Sequence, residues 1–352
     1  MLSALAFRRS WLLPAFSLAL LAACGGDDPA QGGAGGGDVV PQFDYPLDDV
    51  LRIQHLQAKA THNSYHIENE GSTVEAWDYT HVPLAEQLAS QAVRGVELDT
   101  HYDEAEGVFY VYHLPAIDEQ STCRLFTDCL RELKSWSDAH RAHHPLFVHV
   151  EPKSGYSIPV TEDYIERFEA EVRSVWPESR LVTPALVQGS APTLAEALAG
   201  RGFPTLGETR GRALFYLDDD SDVRDAYTRG GKSLDGRLAF VDSDPGDPFG
   251  GVAILNDPIG DADAIAKALA AGFLVRTGAD PDAVGLVSGD TTFLTAALAS
   301  GAQLITTDYP VPVSGKAFFV EIPGGTPSRC NPVTAVDGCT AEAVEDPAFV
   351  GD

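Results

Sequence analysis

Four apolar runs in the first half of the chain each end in residues that can bind or transfer charge. This repetition restricts the fold more than any other feature. The first run has Ile53, His55 and Gln57 alternating with Gln54, Leu56 and Ala58. It leads into Lys59-Ala60-Thr61-His62-Asn63-Ser64-Tyr65-His66. The second, Arg94-Gly95-Val96-Glu97-Leu98-Asp99, carries two carboxylates two residues apart. The third, Val111-Tyr112-His113, stops in a histidine. The fourth, Phe147-Val148-His149-Val150-Glu151-Pro152-Lys153, closes on an acid and a base at alternate positions. On a strand, residues two apart share a face. Strands that all finish in such residues predict one site assembled at one end of a barrel.

The rest of the chain keeps the pattern. Strand-like runs fall at 53–61, 93–99, 108–113, 146–151, 213–218, 238–242, 272–276 and 303–307. Helical periodicity separates many of them: from Pro83 onward, over 128–143, over 164–176 with Ile165, Phe168, Val172 and Val175 in step, and over 193–201, 261–271 and 290–300. Several of these end in Gly, as a helix C-cap does. Eight strands alternating with helices predict an α/β fold, a (β/α)8 TIM barrel, regular or distorted, whose usual size is about 250 residues. The alternative is an open doubly wound sheet, but no GxGxxG turn follows a strand.

The N-terminus reads as a processing segment. Arg8 and Arg9 precede an apolar run from Trp11 to Ala23, too short to span a bilayer as a helix. It ends in Leu21-Ala22-Ala23-Cys24-Gly25, which resembles a bacterial lipoprotein lipobox with Cys24 as the lipidated residue. An ordinary secretory signal is the alternative. The expected divisions are a signal peptide over 1–23, a flexible Gly-rich tether over 24–43, a barrel domain over 44–322 and a C-terminal tail over 323–352. The protein is expected to be exported, and either held by lipid on a bacterial membrane, the outer one by the Gly25 signal, or secreted. Four further cysteines in an oxidising compartment predict two disulfides. Of the three possible pairings, the short loops favour Cys123–Cys129 and Cys330–Cys339. Zinc-ribbon CxxC spacing is absent.

With 24 basic against 52 acidic residues, the net charge is −28. Such a surface repels nucleic acid and anionic membranes. An anionic substrate then requires local positive charge, and a bound metal ion is the simplest source. A monomer is expected.

His62, at a strand end, can give or take a proton near neutral pH, although a lone histidine there is more often structural. Asn63 offers a neutral carbonyl oxygen suited to a hard cation. Glu97 and Asp99 repel each other unless a cation lies between them; the plainer alternative is a salt bridge, for which Arg94 has the wrong parity. Glu151 can add a ligand and Lys153 can hold a phosphate oxygen, or the two can simply pair. His149 shares their parity and reads as a wall residue. Asn63, Glu97, Asp99 and Glu151 form an all-oxygen set that suits Ca²⁺ better than Zn²⁺. Arg276 can bind an anionic headgroup or form an ion pair at the barrel rim. His140, His143 and His144 fall at a predicted helix C-terminus, where they favour the dipole.

THNSYH, ELD, VYH and EPK in this order resemble the phosphatidylinositol-specific phospholipase C superfamily. Within it the chain is most similar to the bacterial calcium-dependent phosphoinositide phospholipase C-like proteins, over roughly residues 51–320. The resemblance implies a TIM barrel that cleaves the glycerol–phosphate bond of phosphatidylinositol with a histidine pair and a calcium ion. It implies His62 and His113 as that pair, Asn63, Glu97, Asp99 and Glu151 as calcium ligands, and Lys153 as a contact to phosphate or inositol. The stretch from Gly301 to Pro310 also resembles the last strand and loop of glycerophosphodiester phosphodiesterases. Those are the nearest rival, although their first motif is His-Arg-Gly where this chain has His62-Asn63-Ser64. A non-catalytic lipoprotein that grips inositol or sugar phosphates is the rival of another class, but it has no need of two histidines around a cation. The expected partners are a phospholipid or phosphodiester substrate and a membrane reached through the lipid anchor, with no nucleic acid.

Overall fold

The computed structural model describes residues 43–69, 74, 77–153, 161–325 and 327–351. The stretches read as a signal peptide, as a lipobox with Cys24 and, for the most part, as a tether lie outside the described residues. Ten strands form in chain order: β1 (Leu56–Thr61), β2 (Val93–Asp103), β3 (Val108–Val111), β4 (Leu146–Pro152), β5 (Ala213–Leu217), β6 (Phe240–Val241), β7 (Val252–Ile254), β8 (Leu274–Gly278), β9 (Leu304–Thr307) and β10 (Ser328–Cys330). Eight of them lie parallel in the order β6-β5-β4-β2-β1-β9-β8-β7. A parallel bridge between Asp242 and Val252 links the two ends, so the barrel is nearly closed. Helices α1 (Leu84–Ser90), α2 (Phe126–Ala139) and α3 (Glu162–Val175) cover the first half. Among the described residues, no helix is long and apolar enough to cross a membrane.

β1, β5 and β9 are buried along their whole length, and most of β2 and β4 is too. Parallel strands covered on both faces read as near-continuous apolar runs, and the apolar stretches of the sequence reflect this. Two expectations need correction. Residues 108–113 do not supply a barrel strand. β2 runs for 11 residues, past the barrel end, and β3 folds back on it antiparallel, with Thr100 opposite Val111 and Asp103 opposite Val108. The turn is held locally: Asp103 Oδ1 accepts from the amides of Ala105 and Glu106. The eighth barrel strand is β7, whose three residues are too few to show a period. The second correction concerns the His140 cluster. α2 ends at Ala139, so only His140 caps it, while His143 and His144 follow it and are fully buried. Burial lowers the pKa of both, that of His143 to about 3, so they are neutral and do not serve the helix dipole.

Parallel pairing sets the rows at the barrel mouth. Glu97 lies opposite His149, and Asp99 lies opposite Glu151. One row below them, β1 and β2 approach so closely that a Cβ on Gly95 would sit 2.7 Å from the Ala60 Cβ. Only glycine fits there, at a position two residues before Glu97 and opposite Ala60, itself two before His62.

The opposite end of the barrel is floored by the tail. β10 pairs antiparallel with the first half of β1. Arg94 at the base of β2 donates from Nε to both oxygens of Glu345, at 3.1 and 2.9 Å, with both side chains fully buried. The two disulfides are Cys123–Cys129 and Cys330–Cys339.

Candidate active site

Every barrel strand delivers a polar side chain to the same end. β1 leads into His62 and Asn63. β2 bears Glu97 and Asp99, β4 bears Glu151, and β8 bears Arg276. Asp218, Asp242, Asn256 and Asp308 follow β5, β6, β7 and β9. A cavity of about 300 Å³ is bounded by His62, Arg276, Asp280 and Phe293. Another of about 480 Å³ is bounded by Glu151, Asp218 and Asp242. A larger one, about 670 Å³, lies elsewhere, beside Lys59 and the tail, and contains none of these groups.

Backbone bonds lock the first motif to the carboxylates. The Ser64 amide donates to the Glu97 carbonyl at 3.0 Å, and the Glu97 amide donates to Ser64 Oγ at 2.8 Å. Asn63 takes a positive φ of 40° to make this turn, a conformation asparagine tolerates better than most residues. Its amide is held by Tyr65, which donates to Oδ1 at 3.1 Å, and by Tyr79, whose hydroxyl accepts at 3.2 Å.

Glu97 is a hub. His62 Nε2 lies 3.7 Å from one of its oxygens, and His149 Nδ1 lies 3.3 Å from the other, which also accepts from Arg276. Burial opposes the carboxylate charge, but Arg276, His62 and His149 outweigh it and hold its pKa well below the usual range. His62 also meets Asp308, at 2.8 Å through Nδ1. Burial opposes its charge as well, yet Glu97 and Asp308 raise its pKa to about 10. Its side chain is 42% exposed, so water weakens these pairs. His113 moves the other way. Burial lowers its pKa, the bond to Asp118 raises it, and the charges of Lys153 and His62 lower it further.

Asp99 has a different problem. It is fully buried, and neither of its oxygens has a well-aligned hydrogen-bond donor among the described residues. Burial and then the neighbouring Glu151 raise its pKa, with Lys153 opposing. Lys153 Nζ lies 3.0 Å from Asp99 Oδ2 and bonds Glu151. One oxygen each from Glu97, Asp99 and Glu151 lies within 4.8 Å of the others. Three converging carboxylates, with Asp99 fully buried and the Lys153 ammonium beside it, are the donor set of a hard divalent cation, and calcium fits it.

The structure thus brings His62, Glu97, Asp99, Glu151, Lys153 and Arg276 to one end, with Asn63 fastened beside Glu97. His113 arrives from the loop after β3 rather than from a barrel strand. Arg276 pairs with Glu97 and donates to Asn256 Oδ1, as a rim ion pair does. His149 is more than a wall residue: it joins Glu97 to Asp218, which its Nε2 meets at 3.0 Å. Sequence reasoning missed Asp308 and Asp118, the carboxylates on the two histidines. Asp308 stood in the quoted Gly301–Pro310 stretch as the one acid after a strand. Asp118 had no signal, because it lies in a turn.

Comparison with known proteins adds to this geometry. A family model described as phosphoinositide phospholipase C, Ca²⁺-dependent, matches residues 51–112 and 108–332. No curated protein sequence matches the chain. Among solved structures it is similar to the calcium-dependent phosphoinositol-specific phospholipase C of a Pseudomonas species, a Gram-negative bacterium. The TM-score is 0.59 at 19% identity, covering 82% of this chain and 98% of that one. The same protein in complex with myoinositol gives the same values. It is also similar to the Ca²⁺-dependent phosphatidylinositol-specific phospholipase C of Streptomyces antibioticus, with TM-score 0.53, 17% identity and coverage of 74% and 95%. At these identities the structural likeness is one of fold.

Proposed function

The chain belongs to the Ca²⁺-dependent phosphoinositide phospholipase C family, and from that premise we propose that it cleaves the glycerol–phosphate bond of phosphatidylinositol-type lipids with His62 and His113 as acid and base. The observation that carries this is the pairing of two histidines, each bonded to a carboxylate, around three converging acids at one barrel end. Asn63, Glu97, Asp99 and Glu151 would hold calcium. When bound, the ion lowers the pKa of the attacking inositol hydroxyl and steadies charge developing on phosphorus. Asp308 orients His62 through Nδ1, which leaves Nε2 on the side of Glu97. Asp118 orients His113 in the same way. One histidine accepts the proton of the inositol 2-hydroxyl and the other protonates the departing glycerol oxygen. Lys153 and Arg276, now bound to the acids, are the cations within reach of a phosphate. We further propose that Cys24 is lipidated and tethers an exported, monomeric enzyme to a bacterial membrane.

The test is release of diacylglycerol from phosphatidylinositol vesicles in calcium and in chelator. Activity is expected in calcium and lost in chelator. Full activity in chelator would remove the metal from the mechanism. Turnover of glycerophosphodiesters with no action on lipid would move the chain to the rival reaction. Retention of label from radioactive palmitate, abolished by Cys24→Ser, tests the anchor.

A further inference from the structure

His66 closes the first motif, yet the reaction as derived makes no use of it. Its side chain is buried, 1% exposed. Nδ1 lies 2.9 Å from the carbonyl oxygen of Tyr79, and Nε2 lies 2.9 Å from Oδ2 of Asp118. A carbonyl and a carboxylate oxygen both accept, so each ring nitrogen faces an acceptor and is called on to donate. The Tyr79 ring packs against the imidazole at 4.4 Å and fixes its plane.

Asp118 is the meeting point. It is fully buried, and the same Oδ2 that faces His66 receives His113 Nδ1 at 2.9 Å. Its other oxygen accepts from Asn69 Nδ2 at 2.8 Å. Reciprocal backbone bonds between Leu114 and Asp118 close the turn that carries it. The two imidazoles stand edge to face, 6.5 Å apart. Asp118 therefore bridges a histidine at the reaction centre and a buried histidine in the segment after β1. His62 is set differently: the backbone amide of its carboxylate, Asp308, donates to Asp280 at 2.7 Å, and the Tyr79 hydroxyl bonds the Asp308 side chain.

We propose that His66 is a positioning residue for the reaction, holding Asp118 so that His113 keeps its proton on Nδ1 and presents Nε2 to the substrate. This rests on the reading of His113 as acid or base. It acts on a small ring in a turn outside the barrel strands, where no neighbouring strand fixes orientation. The orienting partner of a functional histidine sets its tautomer, and loss of such partners typically costs about 10- to 100-fold. The groups facing His113 are Asp118, Lys153, His62 and the edge of Trp77, at 5.2 Å. Those facing His66 are Asp118, Tyr79 and His81, whose amide donates to the His66 carbonyl.

The experiment uses the whole chain in calcium. Long-range proton–nitrogen spectra of ¹⁵N-histidine-labelled protein should show neutral His113 with its proton on Nδ1. A proton on Nε2 instead overturns the proposal without any variant. His66→Phe should lower kcat about 10-fold or more with KM little changed, move the pH limb assigned to His113 and mix its tautomers. His66→Gln, which can still donate to Asp118, should recover part of kcat and should serve if the Phe variant does not fold. Normal kcat and an unmoved pH limb in a folded His66→Gln or His66→Phe variant, beside an inactive His113→Ala, overturn the role of His66 and leave the reaction intact. An active His113→Ala overturns both.

Discussion

His62 and His113 occupy opposite electrostatic settings although both meet an aspartate. Near neutral pH, Glu97 and Asp308 keep the proton on His62, while burial and Lys153 keep His113 neutral. Each single alanine variant should lower turnover by about 10²-fold or more, as loss of a positioned acid or base does. The double variant should cost little beyond the worse single, because the pair acts as one unit. Near-normal turnover in either single would refute the pair. Glu97→Gln should behave otherwise, with calcium affinity falling first and excess calcium restoring part of the rate; calorimetric titration separates the two patterns. The pH dependence of the chelator-treated protein follows from the same shifts. A histidine raised above 6.5 stabilises the fold fully below that pH, and the contribution is lost as pH rises through about 10. Asp99, a raised acid, works in the same direction, since its folded form binds the proton more tightly. The melting temperature in chelator should therefore fall between pH 6.5 and 10, more steeply than with calcium or in His62→Gln. Equal slopes in all three would contradict it.

At the level of elements, the sequence made the strands legible wherever they were long. β1, β2, β4, β5 and β9 fall within or beside the runs read from their apolar pattern. The four first-half motifs all reach the mouth. What escaped was short or reversed. β7 has three residues, and β3 is a run of the right composition that pairs antiparallel, which composition does not encode. The partners of the site were illegible for a related reason. Asp218 and Asp308 come from strand ends far apart in the chain, and only closure of the barrel brings them to one mouth, while Asp118 reaches His113 through a local turn that carries no periodic pattern. The disulfides were legible because loop length alone favoured them. Replacing Cys330 and Cys339 by serine should cost about 2–3 kcal/mol of stability for a loop of this size, with turnover little changed. Denaturant unfolding beside an activity assay checks both halves, and a loss of turnover at unchanged stability would tie the tail to catalysis.

Across the whole molecule, the two ends of the barrel divide the work. Charge shared among several groups gathers at the mouth, while the buried charge at the floor is held as one discrete pair. Arg94 illustrates the second condition, with Glu345 on Nε, the Leu88 and Val93 carbonyls on Nη1, and Trp136 stacked 4.5 Å away. Removing one partner of a buried pair costs about 3–5 kcal/mol, because the other charge stays buried. Glu345→Ala should therefore destabilise by that amount, and a joint change of both residues to Leu and Met should recover most of it. Equal loss in the single and the double would show that packing, not charge, holds the floor. Those two residues stand 251 positions apart. A chain made in order thus carries that guanidinium without its carboxylate until 251 further residues have been added. The barrel has no partly built state in which that charge is comfortable. Chains stopped just short of Glu345 should be digested by protease far faster than chains that include it, so that arrival of the Glu345 segment, rather than formation of any one strand, acts as the checkpoint for maturation.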